Sequence, residues 1–209
     1  MYKNKFPSKK NLNFEEFSKE YIHILEKSVK KINWVTLNTI KNIIEKAIIN
    51  KSNIFVCGNG GSASIANHFL CDFAKGLNVS GKLKPKIISL STNIEIITAL
   101  GNDVSFKKIF SNQLNTYVQK KDILINFSVS GNSANIIEVA KLAQKKKIKV
   151  ISFVGFPKSK LIKYSNYLVC LNVLNYGIAE DFFQILMHFI SQFIKQKHLN
   201  EKNISKLIF

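Results

Sequence analysis

Five short apolar runs, separated by longer stretches of helical periodicity, constrain the fold more than any other feature of this sequence. The runs extend over Asn53–Cys57, Lys86–Leu90, Asp122–Phe127, Ile148–Val154 and Tyr167–Leu171. Runs of this length with little polar alternation are typical of strands that are buried on both faces of a parallel sheet. The helical stretches between them act as crossovers, so the pattern predicts an α/β fold with a five-stranded parallel sheet flanked by helices.

Two further helices are predicted before the first strand, because apolar residues recur at helical spacing from about Phe14 to Asn50. We therefore expect N-terminal helices in residues 1–52 that pack on or extend a domain formed by residues 53–209. The chain of 209 residues contains no repeat, linker or low-complexity stretch. A single structural domain is the expected organisation.

The apolar runs are too short to cross a membrane, since a spanning helix needs about 18 to 20 uninterrupted apolar residues. The first 20 residues lack the apolar segment of a secretory signal, so a soluble, cytoplasmic protein is expected. The three cysteines, Cys57, Cys71 and Cys170, are too few for a disulfide framework. Each lies in an apolar stretch, and we expect all three to be buried, reduced thiols.

The net charge of +18 raises the question of nucleic-acid binding. All 31 basic residues are lysine, so the chain lacks the bidentate arginine contacts that favour guanine and phosphate recognition. Lysines spread over solvated helix faces account for the charge without a nucleic-acid partner.

A glycine-rich turn follows the first predicted strand. It contains Gly58, Asn59, Gly60, Gly61 and Ser62, and a helix over Ala63–Ala74 is predicted to start after it with Ser62 as N-cap. Backbone amides at such a helix start bind phosphate well. The same residues also suit a plain tight turn, and the spacing matches neither a dinucleotide-binding nor a Walker loop.

A second loop of similar character follows the third predicted strand and again leads into a helix. Its hydroxyl groups belong to Ser128, Ser130 and Ser133, and Ser133 is the predicted N-cap. Three hydroxyl donors within six positions favour a phosphate site over solvated turn residues.

The segments Cys57–Ser62, His68-Phe69, Gly101-Asn102-Asp103 and Ser128–Asn135 together resemble the ordered signature of SIS-domain phosphoheptose isomerases, over roughly Phe55–Ile194. The resemblance implies a flavodoxin-like sheet, a homotetramer and conversion of sedoheptulose 7-phosphate into a heptose 7-phosphate. It also implies the residues that bind the substrate and its phosphate: Asn59, Gly60, Ser62, Asp103, Ser128, Ser130, Ser133 and Glu180. One departure is Val129, where the family typically has threonine.

Isomerisation through a cis-enediol needs a base that moves a proton between adjacent carbons and a partner that protonates the carbonyl oxygen. Ser64, His68 and Asp72 recur every four residues and share one helix face. By resemblance, the base is Asp72. The family usually has glutamate there, so either the substrate lies closer or another sugar is used.

The partner is expected on the last long helix, where Glu180, Gln184 and His188 also recur every four residues. Taken alone, His188 suits a hydrogen-bonded core histidine. The resemblance of the segment His188–Ile194 to the family's catalytic segment assigns His188 the role of acid. The family's glutamine ligand aligns approximately with Glu180.

Zn²⁺ is a cofactor that the resemblance implies, held by His68, Asp72, Glu180 and His188. Direct proton transfer by Asp72 and His188 is the alternative without metal.

Two other functions also stay open: an isomerase of a different sugar phosphate, and a non-enzymatic SIS tetramer that binds a protein partner, as a replication-initiation regulator does. The remaining histidines, His23 and His198, are predicted to be solvated, and Trp34 to be a core residue.

Overall fold

The computed structural model describes residues 5–78, 83–205 and 207. Its centre is a parallel sheet with the strand order β2-β1-β3-β4-β5. The strands are Asn53–Cys57 (β1), Lys86–Ser89 (β2), Ile123–Ser128 (β3), Lys149–Val154 (β4) and Tyr167–Cys170 (β5). This is the flavodoxin-like order, and the predicted five-stranded parallel sheet is confirmed with strand ends shifted by one residue at most.

Helices cover both faces of the sheet. They are Phe14–Lys30 (α1), Trp34–Ile49 (α2), Gly61–Cys71 (α3), Ile94–Leu100 (α4), Ile109–Tyr117 (α5), Ala134–Lys145 (α6), Tyr176–His198 (α7) and Glu201–Ile204 (α8). Short π-helical turns follow α3 at Asp72–Gly76 and α4 at Gly101–Ser105. Two 3₁₀ turns cover Phe106–Lys108 and Lys160–Tyr164. None of the described helices has the length and hydrophobicity needed to cross a bilayer.

The strands separate two hydrophobic cores. In β1, Ile54 and Val56 face the core shared with α2, α3 and α7, whereas Phe55 and Cys57 face the core shared with α5 and α6. All four side chains are fully buried. Burial on both faces explains why the strand sequences read as continuous apolar runs.

Helix α2 packs into the same core as the sheet through Ile40, Ile44 and Ile48. This agrees with N-terminal helices that pack on the domain, while the division at residue 52 stays a prediction. The outer limits of the two predicted parts, residues 1 and 209, lie outside the described residues.

The predicted start of the helix after β1 is wrong. The helix begins at Gly61, its N-cap is Gly60 with φ of 55°, and the N-cap makes no side-chain bond. A left-handed residue there is inexpensive only for glycine, so the turn is set by backbone conformation and not by Ser62. The helix also changes to π-helical geometry at Asp72 instead of continuing regularly to Ala74.

Several burial predictions are also wrong. Cys57 is buried, but Cys71 and Cys170 are exposed. Trp34 is 54% exposed, because it occupies the first turn of α2, where its ring stacks on that of Phe189 at a centroid distance of 6.3 Å. His198 is not a freely solvated side chain, because its Nε2 lies 2.7 Å from a carboxylate oxygen of the buried Glu45.

Candidate active site

The two predicted loops meet where the chain order of the sheet reverses. Neighbouring strands β1 and β3 end at Cys57 and Ser128, and the chain then leaves them in opposite directions across the sheet. Ligand sites of doubly wound folds form at this switch point. A cavity of about 250 Å³ opens there. It is lined by seven of the predicted residues: Asn59, Gly60, Ser62, Ser128, Ser130, Ser133 and Glu180.

Hydrogen bonds hold the two loops in fixed relation to each other. Asn59 and Asn135 exchange a reciprocal pair of amide bonds, with nitrogen-to-oxygen distances of 2.9 and 2.8 Å. In the second loop, Ser128 Oγ accepts a bond from the Gly131 amide and Ser130 Oγ accepts one from the Asn132 amide, both at 3.2 Å. A serine hydroxyl that accepts in this way still has its own proton to donate to an anion.

Contrary to the prediction from the sequence, Ser133 and Ser62 do not cap helices with their side chains. Ser133 stands at the N-cap position of α6, but its side chain makes no capping bond, so its hydroxyl is not used by the helix. Ser62 is almost fully buried beside α7. Val129, at the position where the family typically has threonine, is buried as well, and its backbone oxygen accepts from the amides of Gly155 and Phe156.

Glu180 brings a carboxyl group into this cavity. Ser62 Oγ lies 3.5 Å from Glu180 Oε1, and the carboxyl occupies the space that a side chain at position 61 would fill. Glycine at 61 is therefore what allows α3 and α7 to approach here. Burial raises the pKa of Glu180, and the charge of Asp181 adds to this effect. A raised pKa means that this carboxyl group takes up a proton more readily than a fully solvated glutamate does.

The second part of the site lies further along the same two helices. His68 Nε2 is 3.3 Å from one oxygen of Asp72, and His188 Nε2 is 3.4 Å from the other. The two imidazole nitrogens are themselves 3.2 Å apart. Asp72 is the first residue of the π-helical turn, a geometry that is frequent at functional sites.

These three residues are brought together as a potential metal-binding group, since their donor atoms all lie within 4.8 Å of one another. Glu180, the predicted fourth ligand, is not part of this group, because its carboxyl group faces Ser62 in the serine-lined cavity.

Gln184 was missed as a site residue, although its four-residue spacing from Glu180 and His188 was visible in the sequence. Its side-chain nitrogen lies 3.2 Å from His188 Nε2. Residues four positions apart on a helix are neighbours, so this spacing was sufficient to predict a contact between Gln184 and His188.

Asp103 is separate from both parts of the site. It is exposed in the π-helical turn after α4, where it accepts a bond from the neighbouring Asn102 side chain at 2.8 Å, and it does not line the serine cavity. The structure of one chain therefore does not bring Asp103 together with the other predicted residues.

The two parts of the site are spaced along α3. Six residues separate Ser62 from His68, which corresponds to about 9 Å along a helix axis. Because α7 carries Glu180 beside Ser62 and His188 beside His68, α3 and α7 run alongside each other through the whole site.

Fold and site define a flavodoxin-like α/β protein with a serine-lined cavity at the switch point and a group of two histidines and one aspartate further along the same helices. A family model for the SIS domain matches residues 16–155, which is more than half of the chain. The chain belongs to the SIS domain family.

Relatives of known sequence include the phosphoheptose isomerase of Helicobacter pylori strain ATCC 700392 / 26695, which is 29% identical over 179 residues. That match covers 86% of this chain and 92% of the relative. The phosphoheptose isomerase of Neisseria meningitidis serogroup C / serotype 2a is 36% identical over 116 residues, covering 56% of this chain and 58% of the relative.

Solved structures agree with these similarities. A phosphoheptose isomerase from Neisseria gonorrhoeae aligns with a TM-score of 0.77 and 27% identity, covering 86% of this chain and 96% of that one. A phosphoheptose isomerase from Francisella tularensis aligns with a TM-score of 0.78 over 87% of this chain and 96% of that one. At 24% identity, the second likeness concerns the fold alone.

Proposed function

We propose that this chain is a phosphoheptose isomerase, an aldose–ketose isomerase that converts sedoheptulose 7-phosphate into D-glycero-D-manno-heptose 7-phosphate. The observation that carries the proposal is the contact of the Asp72 carboxylate with His188 Nε2 at 3.4 Å, beside a serine-lined cavity. A carboxylate and an imidazole in contact can act as paired proton acceptor and donor. The relatives from Helicobacter and Neisseria bear the name of this activity.

The proposed reaction balances without any co-reactant. Asp72 takes a proton from C1 of the ketose while His188 donates one to the C2 carbonyl oxygen, which gives the cis-enediol. Asp72 then returns its proton to C2 as His188 recovers one from the C1 hydroxyl, and the aldose forms. In this scheme Ser128, Ser130 and Ser133 hold the phosphate with neutral donors.

The donor set of His68, Asp72 and His188 suits Zn²⁺, because catalytic zinc sites commonly use three protein ligands of this kind. Zinc held by these residues would supply a Lewis acid for polarising the carbonyl group. Metal analysis of the purified protein decides between the two schemes: about one zinc per chain, lost in His68→Ala, would make Asp72 and His188 metal ligands and replace the direct proton transfer. Absence of zinc from an active parent protein would leave Asp72 and His188 as the complete proton-transfer pair.

The decisive experiment incubates the purified protein with sedoheptulose 7-phosphate and measures aldose phosphate by NMR. Formation of the seven-carbon aldose supports the assignment. Turnover of a different ketose phosphate alone would favour an isomerase of another sugar. Absence of turnover with a panel of sugar phosphates would favour a non-enzymatic SIS protein that binds a protein partner, although such a protein has no need for the contact between Asp72 and His188.

We further propose a homotetramer in the cytoplasm. Large apolar side chains are exposed near the start of α2 and along α7, and they include Trp34, Val35, Phe189 and Phe193. Patches of this kind mark interaction sites. The three free cysteines suit a reducing compartment. Light scattering measures the assembly, and a monomeric parent protein would contradict the tetramer.

A further inference from the structure

A second cavity, of about 710 Å³, opens at the other end of the sheet, between the end of α2 and the amino ends of β3 and β4. Its lining includes Lys46, Lys121, Lys147 and Lys149, together with Asn42 and Tyr167. The strands β3 and β4 are six residues long, so this cavity lies about 20 Å along the sheet from the serine-containing loops at Asn59–Ser62 and Ser128–Ser133, here called the serine loops. It is therefore a different place from the candidate active site.

Among the described residues, no ion pair neutralises the lysines of this cavity. All four lysines are exposed, and none of them forms an ion pair with a carboxylate of residues 5–78 or 83–205. One carboxylate, that of Asp122, also lines the cavity. It is 3% exposed and already accepts bonds from the Asn53 and Gln119 amides, each at 2.8 Å.

The backbone fixes two of these lysines at the cavity rim in the left-handed conformation. Lys121 has φ of 76° and Lys147 has φ of 58°, and they lie just before β3 and β4, whose first residues line the cavity. Glycine adopts this region without steric cost, whereas a lysine there is strained. Lys147 directly follows the C-cap of α6, where a left-handed residue commonly ends a helix, so its position is fixed by the helix end.

We propose that this cavity binds a small diphosphate-bearing anion at a site distinct from the active site. Four lysines line one concavity, which suits a multiply charged anion, and each contact of an ammonium group with phosphate oxygens would be charge-assisted. The volume lies within the range of small-molecule sites. It exceeds what the diphosphate needs, and Tyr167 and Asn42 offer an aromatic face and an amide to an organic group attached to it. A nucleic acid, by contrast, would be expected to follow an extended basic stripe.

Isothermal titration with inorganic pyrophosphate and with ADP tests the proposal. The titrations use the full chain and its Ser128→Ala/Ser133→Ala variant, which weakens anion binding at the active site. We expect both proteins to bind at this second site, and Lys121→Gln/Lys147→Gln to weaken that binding by about tenfold or more, since two charge-assisted contacts are lost. Tighter binding of ADP than of pyrophosphate would indicate a nucleotide, and equal binding the free diphosphate.

Lys9→Gln/Lys10→Gln is the matched control, because it removes the same charge from an exposed segment away from the cavity. If Lys9→Gln/Lys10→Gln lowers the affinity for the diphosphate as much as Lys121→Gln/Lys147→Gln does, the loss reflects net charge alone, and the proposal is overturned. Binding that survives both Lys121→Gln/Lys147→Gln and Lys46→Gln/Lys149→Gln would overturn it as well. So would tighter binding of a DNA duplex that the cavity variants abolish. Circular dichroism verifies that each variant is folded.

Discussion

Asp72 is the residue on which the proposed chemistry depends most. Its two carboxylate oxygens face different histidines, His68 and His188, so the group is held in position from both sides. Aspartate is one methylene shorter than the family's usual glutamate, yet it reaches both rings from the first position of a π-helical turn.

Replacing Asp72 by asparagine should reduce turnover by about two to four orders of magnitude, because the nearly isosteric amide cannot accept the substrate proton. The measurement is kcat with sedoheptulose 7-phosphate, alongside Glu20→Gln as an exposed charge control. Retention of more than about one tenth of the parent activity would remove Asp72 from the mechanism.

For His188→Ala, we expect kcat to fall far more than KM rises, because its contact with the substrate oxygen strengthens as the enediol forms. Steady-state kinetics of this variant and of His23→Ala, an exposed histidine on α1, measure the effect. A change confined to KM would make His188 a binding residue.

At the level of elements, the site is built from two loops and two helices. The loops were predictable because each is a short continuous segment whose glycines and serines directly follow a strand. The relation between α3 and α7 was not, because it depends on packing between residues about 120 positions apart, such as Ser62 and Glu180. For this reason the sequence led to Glu180 as a metal ligand, whereas its carboxyl group faces Ser62 in the serine-lined cavity.

The serine loops lead to a prediction about binding. Ser128→Ala with Ser133→Ala should raise KM for the sugar phosphate, since each lost neutral donor contributes about 1 kcal/mol. Turnover at saturation should change less, because the phosphate is remote from the reacting carbons.

Inhibition by inorganic phosphate provides the second readout for this pair. Phosphate should compete with substrate in the parent protein and more weakly in the variant, while Ser8→Ala with Ser205→Ala should behave like the parent. If phosphate does not compete in the parent protein, the serine loops are not its binding site.

For the whole molecule, the periodicity of the sequence was sufficient to predict the layers and the strand count. It failed for residues whose surroundings come from distant segments. His198 was expected to be solvated, but it contacts Glu45, which lies 153 residues earlier on α2. Trp34 was expected in the core, but it lies at the exposed start of α2 and stacks on the Phe189 ring.

Glu45 connects α2 to the end of α7. Burial by itself would raise the pKa of its carboxyl group, but hydrogen bonds from Lys197 and His198 and the nearby charge of Lys41 outweigh burial and lower it. A pKa that is lower in the folded than in the unfolded chain stabilises the fold above the unfolded value, and this stabilisation is lost as the pH falls through the folded value.

We therefore expect Glu45→Gln to reduce the free energy of unfolding by about 1 to 3 kcal/mol at pH 7. The difference from the parent should shrink as the pH falls below about 4, where the unfolded-state carboxyl is protonated. Denaturant titrations at several pH values measure it, with Glu20→Gln as control. A difference that is constant with pH would show that the loss reflects packing and not the charge.

The contacts between the first and last helices also have a consequence for synthesis on the ribosome. Tyr21 on α1 donates a hydrogen bond to Asp181 on α7, 160 residues later. At about 5 to 20 residues per second, roughly 10 to 30 s pass between the emergence of α1 and that of its partner helix. During this interval the apolar face of α1 that α7 will cover stays open to water, so the nascent chain offers a binding surface to chaperones that the finished protein no longer has.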